Sequence, residues 1–219
     1  MTSEYQRYLS AANTFRDKYF ALPGDMSNAT KFWGAADAGD GTGTDCFDVS
    51  STSATTCDGN GNGQITDAGG GRFSESYRAW QHLANAGLIE GSYTGRAATA
   101  TYGWSLVGGS NVPASKVSQG QWLPNWIGTL SGDVNTFDGD YGNTLYLGSG
   151  GSPLGLTMKA EEMWNIDTKL DDGKPAYGKV RANKFVIRSN CSSTNVSATA
   201  EYVLTSTAIG CNLMFLQAM

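Results

Sequence analysis

Histidine is nearly missing from this chain: His82 is the only one in 219 residues. A Ser-His-Asp arrangement or a multi-histidine metal centre therefore has little to build on. His82 itself lies one residue off the apolar face of a short helical pattern and reads as a bystander. Charge is scarce too, at 16% of residues against the roughly 25% of an average soluble domain. Fifteen Lys plus Arg against 20 Asp plus Glu give a net charge of −5, with no basic run or basic helix face, so nucleic acid is not an expected direct partner. No GxSxG elbow or P-loop occurs, and the glycine runs at 39–43 and 148–151 lack the strand-to-helix setting that phosphate binding needs. No apolar run of membrane-spanning length and no signal-peptide pattern is present in these residues.

Glycine, by contrast, is abundant. Its 29 residues are close to twice the usual share, and together with Ser, Thr and Asn they imply long polar loops without charge. The length suits a single domain, 1–219, able to bury a sizeable core. Four cysteines fall into two local pairs, Cys46 with Cys57 and Cys191 with Cys211, neither with the CxxC spacing of zinc or redox sites. Three disulfide connectivities are formally open, and four free buried thiols in a cytosolic protein is the competing reading. Local pairing closes loops worth about 3 kcal/mol each in the chain-entropy model and points to an oxidising compartment.

Periodicity divides the chain. Tyr5, Tyr8, Leu9, Ala12, Phe15, Tyr19 and Leu22 recur at steps of three and four, which predicts an amphipathic helix over 3–22, stopped by Pro23 and Gly24. Residues 23–100 have the texture of a connector carrying one short helix at 74–86, with Ser74 as N-cap, Tyr77, Trp80, Leu83 and Ala84 on its apolar face, and Gly87 closing it. From about residue 101 the runs TYGWSLV, NTLYLG, KFVIRS, AEYVLTS and NLMFLQ predict antiparallel strands. A further helix is predicted over 157–170, capped by Thr157 and stopped by Asp171, Asp172 and Gly173. The fold class expected is α+β.

One stretch, CDGNGNGQITDAGGG at 57–71, has metal-loop character. An EF-hand-type calcium loop wants oxygen side chains at positions 1, 3 and 5, glycine at 6 and a backbone carbonyl at 7. Asp58, Asn60, Asn62, Gly63 and Gln64 fill those places; Gly69 stands where a bidentate Glu is expected, with Asp67 or Glu75 as substitutes. Any calcium site here is expected to be weak, and an unoccupied turn rich in Asn and Asp is the alternative. Glu161 and Glu162 are adjacent, about 100° apart on a helix, so they do not flank one scissile bond; Asp167, Asp171 and Asp172 read as a solvated helix end. The many aromatics fall mostly on apolar faces and read as core. Asn-x-Ser/Thr matches at Asn28, Asn190 and Asn195 occur at about chance frequency.

The order of parts, together with FRDKYFALPGDM at 15–26, DGNGNGQI at 58–65 followed by WQHLANAGLIEGSYTG at 80–95, and IDTKLDDGKPAYGKV at 166–180, resembles the type IV pilin and pseudopilin family over nearly the whole chain. The resemblance implies a long N-terminal helix packed on an antiparallel sheet, an αβ connector, and a C-terminal loop bracketed by Cys191 and Cys211. It implies that Tyr5, Leu9, Ala12 and Phe15 pack helix on sheet, and that Asp58, Asn60, Asn62 and Asp67 order the connector with or without calcium. It also implies no catalytic residue, and self-assembly into a helical filament on the bacterial surface, after handling by pilus or secretion machinery at the inner membrane. Such proteins begin with a very hydrophobic half-helix carrying a glutamate; that segment is not in this sequence, and the expectation is a soluble portion whose membrane-spanning half-helix lies upstream of Thr2. Two other classes compete: a calcium-dependent secreted carbohydrate-binding or adhesion module, and a secreted hydrolase. The leading helix argues against the first, and the lack of separated paired carboxylates against the second.

Overall fold

The computed structural model describes residues 1–42, 46–66, 74–99, 104–117, 119–134, 136–182 and 190–219. It is an α+β protein with antiparallel strands. Helix α1 spans Thr2–Tyr19, ending three residues before the periodicity predicts. What ends it is Phe20, which adopts the left-handed conformation at φ 55° and donates its N–H to Arg16 O, before Pro23 is reached. A non-glycine residue there costs roughly 1–2 kcal/mol, and the Phe20 ring is 92% exposed, so burial does not offset it.

The buried stripe of α1 is Glu4, Tyr8, Ala11, Ala12 and Phe15. It is rotated from the expected Tyr5, Leu9, Ala12 and Phe15: Ala12 and Phe15 belong to it, while Tyr5 and Leu9 are half-buried at its border. The correction follows from what α1 packs against. Tyr8 sits edge-on to Trp80 and Trp122, with ring centroids 4.9 and 5.7 Å away, and Tyr5 stacks on Phe215 at 3.8 Å. Glu4 is buried because Ser115 Oγ and Lys116 N donate to its carboxylate, which also faces the amino terminus of Met1 at 3.8 Å.

After a single turn of helix, α2 (Thr30–Trp33), the connector leads to α3 (Ser74–Asn85). Gly87, at φ 73°, closes α3 as expected, its N–H reaching Ala84 O while Leu88 N reaches Leu83 O. Beyond residue 120 come β1 (Gln121–Trp126), β2 (Thr129–Leu130), β3 (Gly139–Asp140), β4 (Asn143–Gly148), β5 (Met158–Lys159), α4 (Ala160–Leu170), β6 (Val180–Arg181), a 3-10 turn (Ser197–Thr199), β7 (Ile209–Cys211) and β8 (Leu213–Phe215). The main sheet has order β1-β4-β8-β6 with every neighbouring pair antiparallel; β2-β3 and β5-β7 are separate two-stranded ribbons.

Two expected strands hold, NTLYLG as β4 and the middle of NLMFLQ as β8. AEYVLTS does not form a strand; its Tyr202 makes only an isolated bridge to Ser192. TYGWSLV is irregular where it is described, and KFVIRS falls outside the described residues except for its neighbours. β1 contains Pro124, and as an edge strand it can place a residue without N–H where no ladder partner is needed. Helix α4 starts at Ala160, not Thr157: Met158 and Lys159 pair with β7, Thr157 N donates to Cys211 O, and Glu162 accepts the N–H of Lys159 at 2.9 Å, taking over the capping role. Both disulfides form in the local pairing, Cys46–Cys57 and Cys191–Cys211. Among the described residues no helix is long and apolar enough to cross a membrane.

Candidate functional site

Helix α3 is buried on every side from Ser74 to Leu83, including Glu75, Arg78, Gln81 and His82. Its apolar side meets α1 and β1, where Trp80 Nε1 donates to Trp122 O. Its polar side is wrapped by the connector, and the polar residues there are bonded one by one. Arg78 donates to the carbonyls of Cys46 and Val49 at 3.0 and 2.8 Å and to Gln81 Oε1 at 2.7 Å. Gln81 Nε2 donates to Ser51 O and Thr55 O. The Cys46–Cys57 loop is thus clamped to the helix by α3 side chains that reach its backbone carbonyls. Burial pulls the Arg78 guanidinium down to about 10, yet it stays charged at neutral pH. Gly95 passes so close to the Arg78 guanidinium, at φ 73°, that a Cβ would collide with it.

His82, expected one residue off the apolar face, is fully buried. Gly24 N donates to its Nδ1 at 3.0 Å, so the proton sits on Nε2, which faces Thr56 Oγ1 at 3.0 Å and Cys57 O at 3.3 Å. Thr56 Oγ1 in turn donates to Gln81 Oε1 at 2.7 Å. Desolvation drives the imidazole down to about 3, helped by the nearby Arg78 charge, so it is neutral. The ring also stacks on Phe15. Each ring nitrogen of His82 is spent on the fold, and the one hydroxyl bonded to the ring, that of Thr56, is buried and itself donates to Gln81.

The loop at 58–66 is closed by carboxylates outside it. Asp25 accepts the N–H groups of Asn62 at 3.0 Å and Gly63 at 2.8 Å, and its carbonyl accepts that of Gly61. Glu75 accepts those of Asn60 and Thr66, both at 2.9 Å. Burial raises the Asp25 carboxyl, and these amide bonds oppose the rise. The expected ligands point elsewhere: Asp58 accepts Thr30 N at 2.7 Å and Thr30 Oγ1 at 3.1 Å, tying down the first turn of α2. Asn60 Oδ1 accepts Asn62 N, and Asn62 Oδ1 accepts Gln64 N, two successive side-chain turns. Asp67 lies outside the described residues. A cation there would share oxygens already accepting hydrogen bonds, with Asp58 the one carboxylate among the described loop side chains; such a donor set fits a weakly held ion only.

A second acidic group was expected to be solvated. Asp167, Asp171 and Asp172 bring carboxylate oxygens within 4.8 Å of one another, and Asp167 is completely buried. Tyr202 Oη donates to Asp167 at 2.7 Å and Gly173 N at 3.2 Å; Asp171 accepts Val180 N and Lys179 N; Asp172 accepts Lys174 N. Desolvation raises Asp167 to about 7 despite those donors, with Asp172 and Asp171 adding repulsion. Tyr202 belongs to the segment between Cys191 and Cys211, so this carboxylate pins the disulfide-bracketed loop onto the end of α4.

A cleft of about 400 Å³ opens beside the 58–66 loop, lined by Arg16, Tyr19, Phe20, Asp25, Ser27 and Asn28 among others. Sequence reasoning had no signal for it, because α1, the α1–α2 turn and the glycine loop meet there only in three dimensions. Comparison of the chain with family models, with curated proteins and with solved structures returns no match.

Proposed function

We propose that this chain is the globular part of a filament subunit of the type IV pilin or pseudopilin class, a structural protein rather than an enzyme. The observation that supports the reading best is the leading helix. It runs for 18 residues at the start of the described chain, buries one stripe on α3 and the antiparallel sheet, and leaves Gln6, Arg7, Asn13, Arg16 and Asp17 exposed on the other. A helix so placed can extend into an assembly while the sheet domain rides on it. The polar networks support the same role: Arg78, His82, Asp25 and Asp167 all hold loops in place, which suits a domain that must keep its surface shape outside the cell. Within this proposal the two disulfides reflect assembly in an oxidising space. Calcium in the Asp58 loop is a subsidiary proposal, of affinity in the weak range of about 10⁻⁴ to 10⁻³ M.

The experiment is to read the residues encoded ahead of Thr2 and to image the full-length protein in its native cells. The proposal expects an apolar helical segment of about 20 residues interrupted by a glutamate, and surface filaments decorated by an antibody to this domain. An ordinary cleavable signal peptide, with soluble secreted protein and no decorated filament, would overturn it. The isolated domain should remain at most weakly associated in light scattering.

A further inference from the structure

Phe20 closes α1 with its backbone N–H, and its side chain adds nothing to the core. It occupies a left-handed backbone position suited to glycine or asparagine, its ring is 92% exposed, and it makes no ring contact among the described residues. Local strain of this kind, at a residue with no packing return, gathers at binding sites. Phe20 lines the cleft beside Asp25 together with Tyr19, whose own ring is backed by Phe32 and Trp33 at 5.2 and 5.4 Å.

We infer that this cleft binds a pyranose ring of a neutral saccharide, stacked on Phe20. The volume falls in the range of small-ligand sites. Two of the lining residues, Tyr19 and Phe20, are aromatic, and an aromatic ring suits the C–H face of a sugar. The lining also includes exposed Arg16, Ser27 and Asn28; the Arg16 guanidinium gives one N–H to Asn13 Oδ1 and keeps others, and neither the Ser27 hydroxyl nor the Asn28 amide is bonded among the described residues. Amide and guanidinium groups present forks that match pairs of neighbouring hydroxyls. The charge of the lining balances: Arg16 stands against Asp25, whose carboxylate is already bound to the amides of Asn62 and Gly63. A phosphate or an amine finds no net attraction there, whereas a neutral polyol does. Those same amide bonds fix the floor at Gly61 and Gly63 before any ligand arrives, which lowers the ordering cost of binding. This inference is independent of the filament reading.

The test is an amide-shift NMR titration with the methyl glycosides of glucose, galactose, mannose and N-acetylglucosamine, on the wild-type domain and on Phe20→Gly. At least one glycoside should shift signals confined to Arg16, Phe20, Asn28 and the Gly61–Gly63 turn, with a Kd on the order of 1 mM for a single ring. In Phe20→Gly that affinity should fall at least about tenfold, as expected for a lost stacking contact, while the melting temperature rises, because glycine relieves the left-handed strain. The rise separates loss of a ligand contact from loss of folding. No shift with any of the four glycosides overturns the inference. So does a shift that survives Phe20→Gly, a melting temperature that falls in this variant, or self-association abolished by it without any glycoside effect, since the last would make a second copy of the chain the occupant.

Discussion

The ring nitrogen Nδ1 of His82 accepts the backbone N–H of Gly24, 58 residues earlier in the chain, and this bond joins the exit of α1 to the centre of α3. Protonation at Nδ1 would place two donors face to face in a buried site. The folded-state value of His82 is depressed from 6.5 to about 3, so between those values the unfolded chain binds a proton that the folded chain refuses. Stability from this group is complete above about pH 6.5 and declines as the pH falls toward 3, by up to roughly 4 kcal/mol. Denaturant titrations across that window should show the decline in the wild type. His82→Gln should be less stable at neutral pH and should lose most of the acid slope; an unchanged slope would mean that other groups carry it.

Asp167 acts in the opposite sense. Its carboxyl is raised from 3.8 to about 7, so the folded chain holds a proton that the unfolded chain releases. Its contribution is fully present below about pH 4 and is lost as the pH rises through 7. Asp167→Asn keeps an acceptor for the Tyr202 hydroxyl and removes the titration. That variant should gain stability relative to wild type at pH 8, by up to roughly 4 kcal/mol in the limit of complete burial, and show no advantage at pH 4. Equal pH profiles for the two proteins would refute the assignment.

How much of this was legible in sequence depends on the range of the interactions. Gly87 ends α3 through contacts within a few residues, and the α1 period is local, so both could be read. β1 was missed because Pro124 argues against a strand unless the strand is known to lie at a sheet edge, which is a tertiary fact. Arg78, Gln81 and His82 look like the solvent face of an amphipathic helix; they are buried only because a disulfide-closed loop some 30 residues upstream folds over them. The 58–66 loop was recognised as ordered, but its anchors Asp25 and Glu75 lie outside the motif, so spacing alone could not name them.

The register of α1 gives a direct test of its packing. Tyr8 is 1% exposed between two tryptophans, while Leu9 is half-buried and outside the core. Tyr8→Ala should cost about 3–5 kcal/mol in urea unfolding, the usual range for a buried aromatic truncated to alanine. Leu9→Ala should cost roughly 1 kcal/mol or less. The reverse ranking would restore the Tyr5–Leu9 stripe that periodicity suggests.

The last prediction separates the two ways of ordering the glycine loop. If carboxylates at Asp25 and Glu75 do the work, removing one deletes charge-assisted bonds from a buried carboxylate to the loop amides, at about 1.5–3 kcal/mol for each bond. Asp25→Ala removes the acceptor of Gly63 N and leaves Asn62 N with Asn60 Oδ1 alone, and Glu75→Ala removes the acceptor of Asn60 N and Thr66 N, so each should lower the melting temperature in metal-free buffer. Asp58→Ala removes only the bonds to Thr30, at the edge of a one-turn helix, and should cost less. Calcium binding would add to this pattern without replacing it: millimolar calcium should raise the wild-type melting temperature slightly, and the rise should vanish in Asp58→Ala. Calorimetric heats that are identical for wild type and Asp58→Ala would leave the loop with no cation at Asp58, and its order would rest on Asp25 and Glu75 alone. A wild type that needs calcium to keep its melting temperature, with Asp25→Ala no worse, would instead make the cation the organiser, and the carboxylate–amide bonds secondary to it.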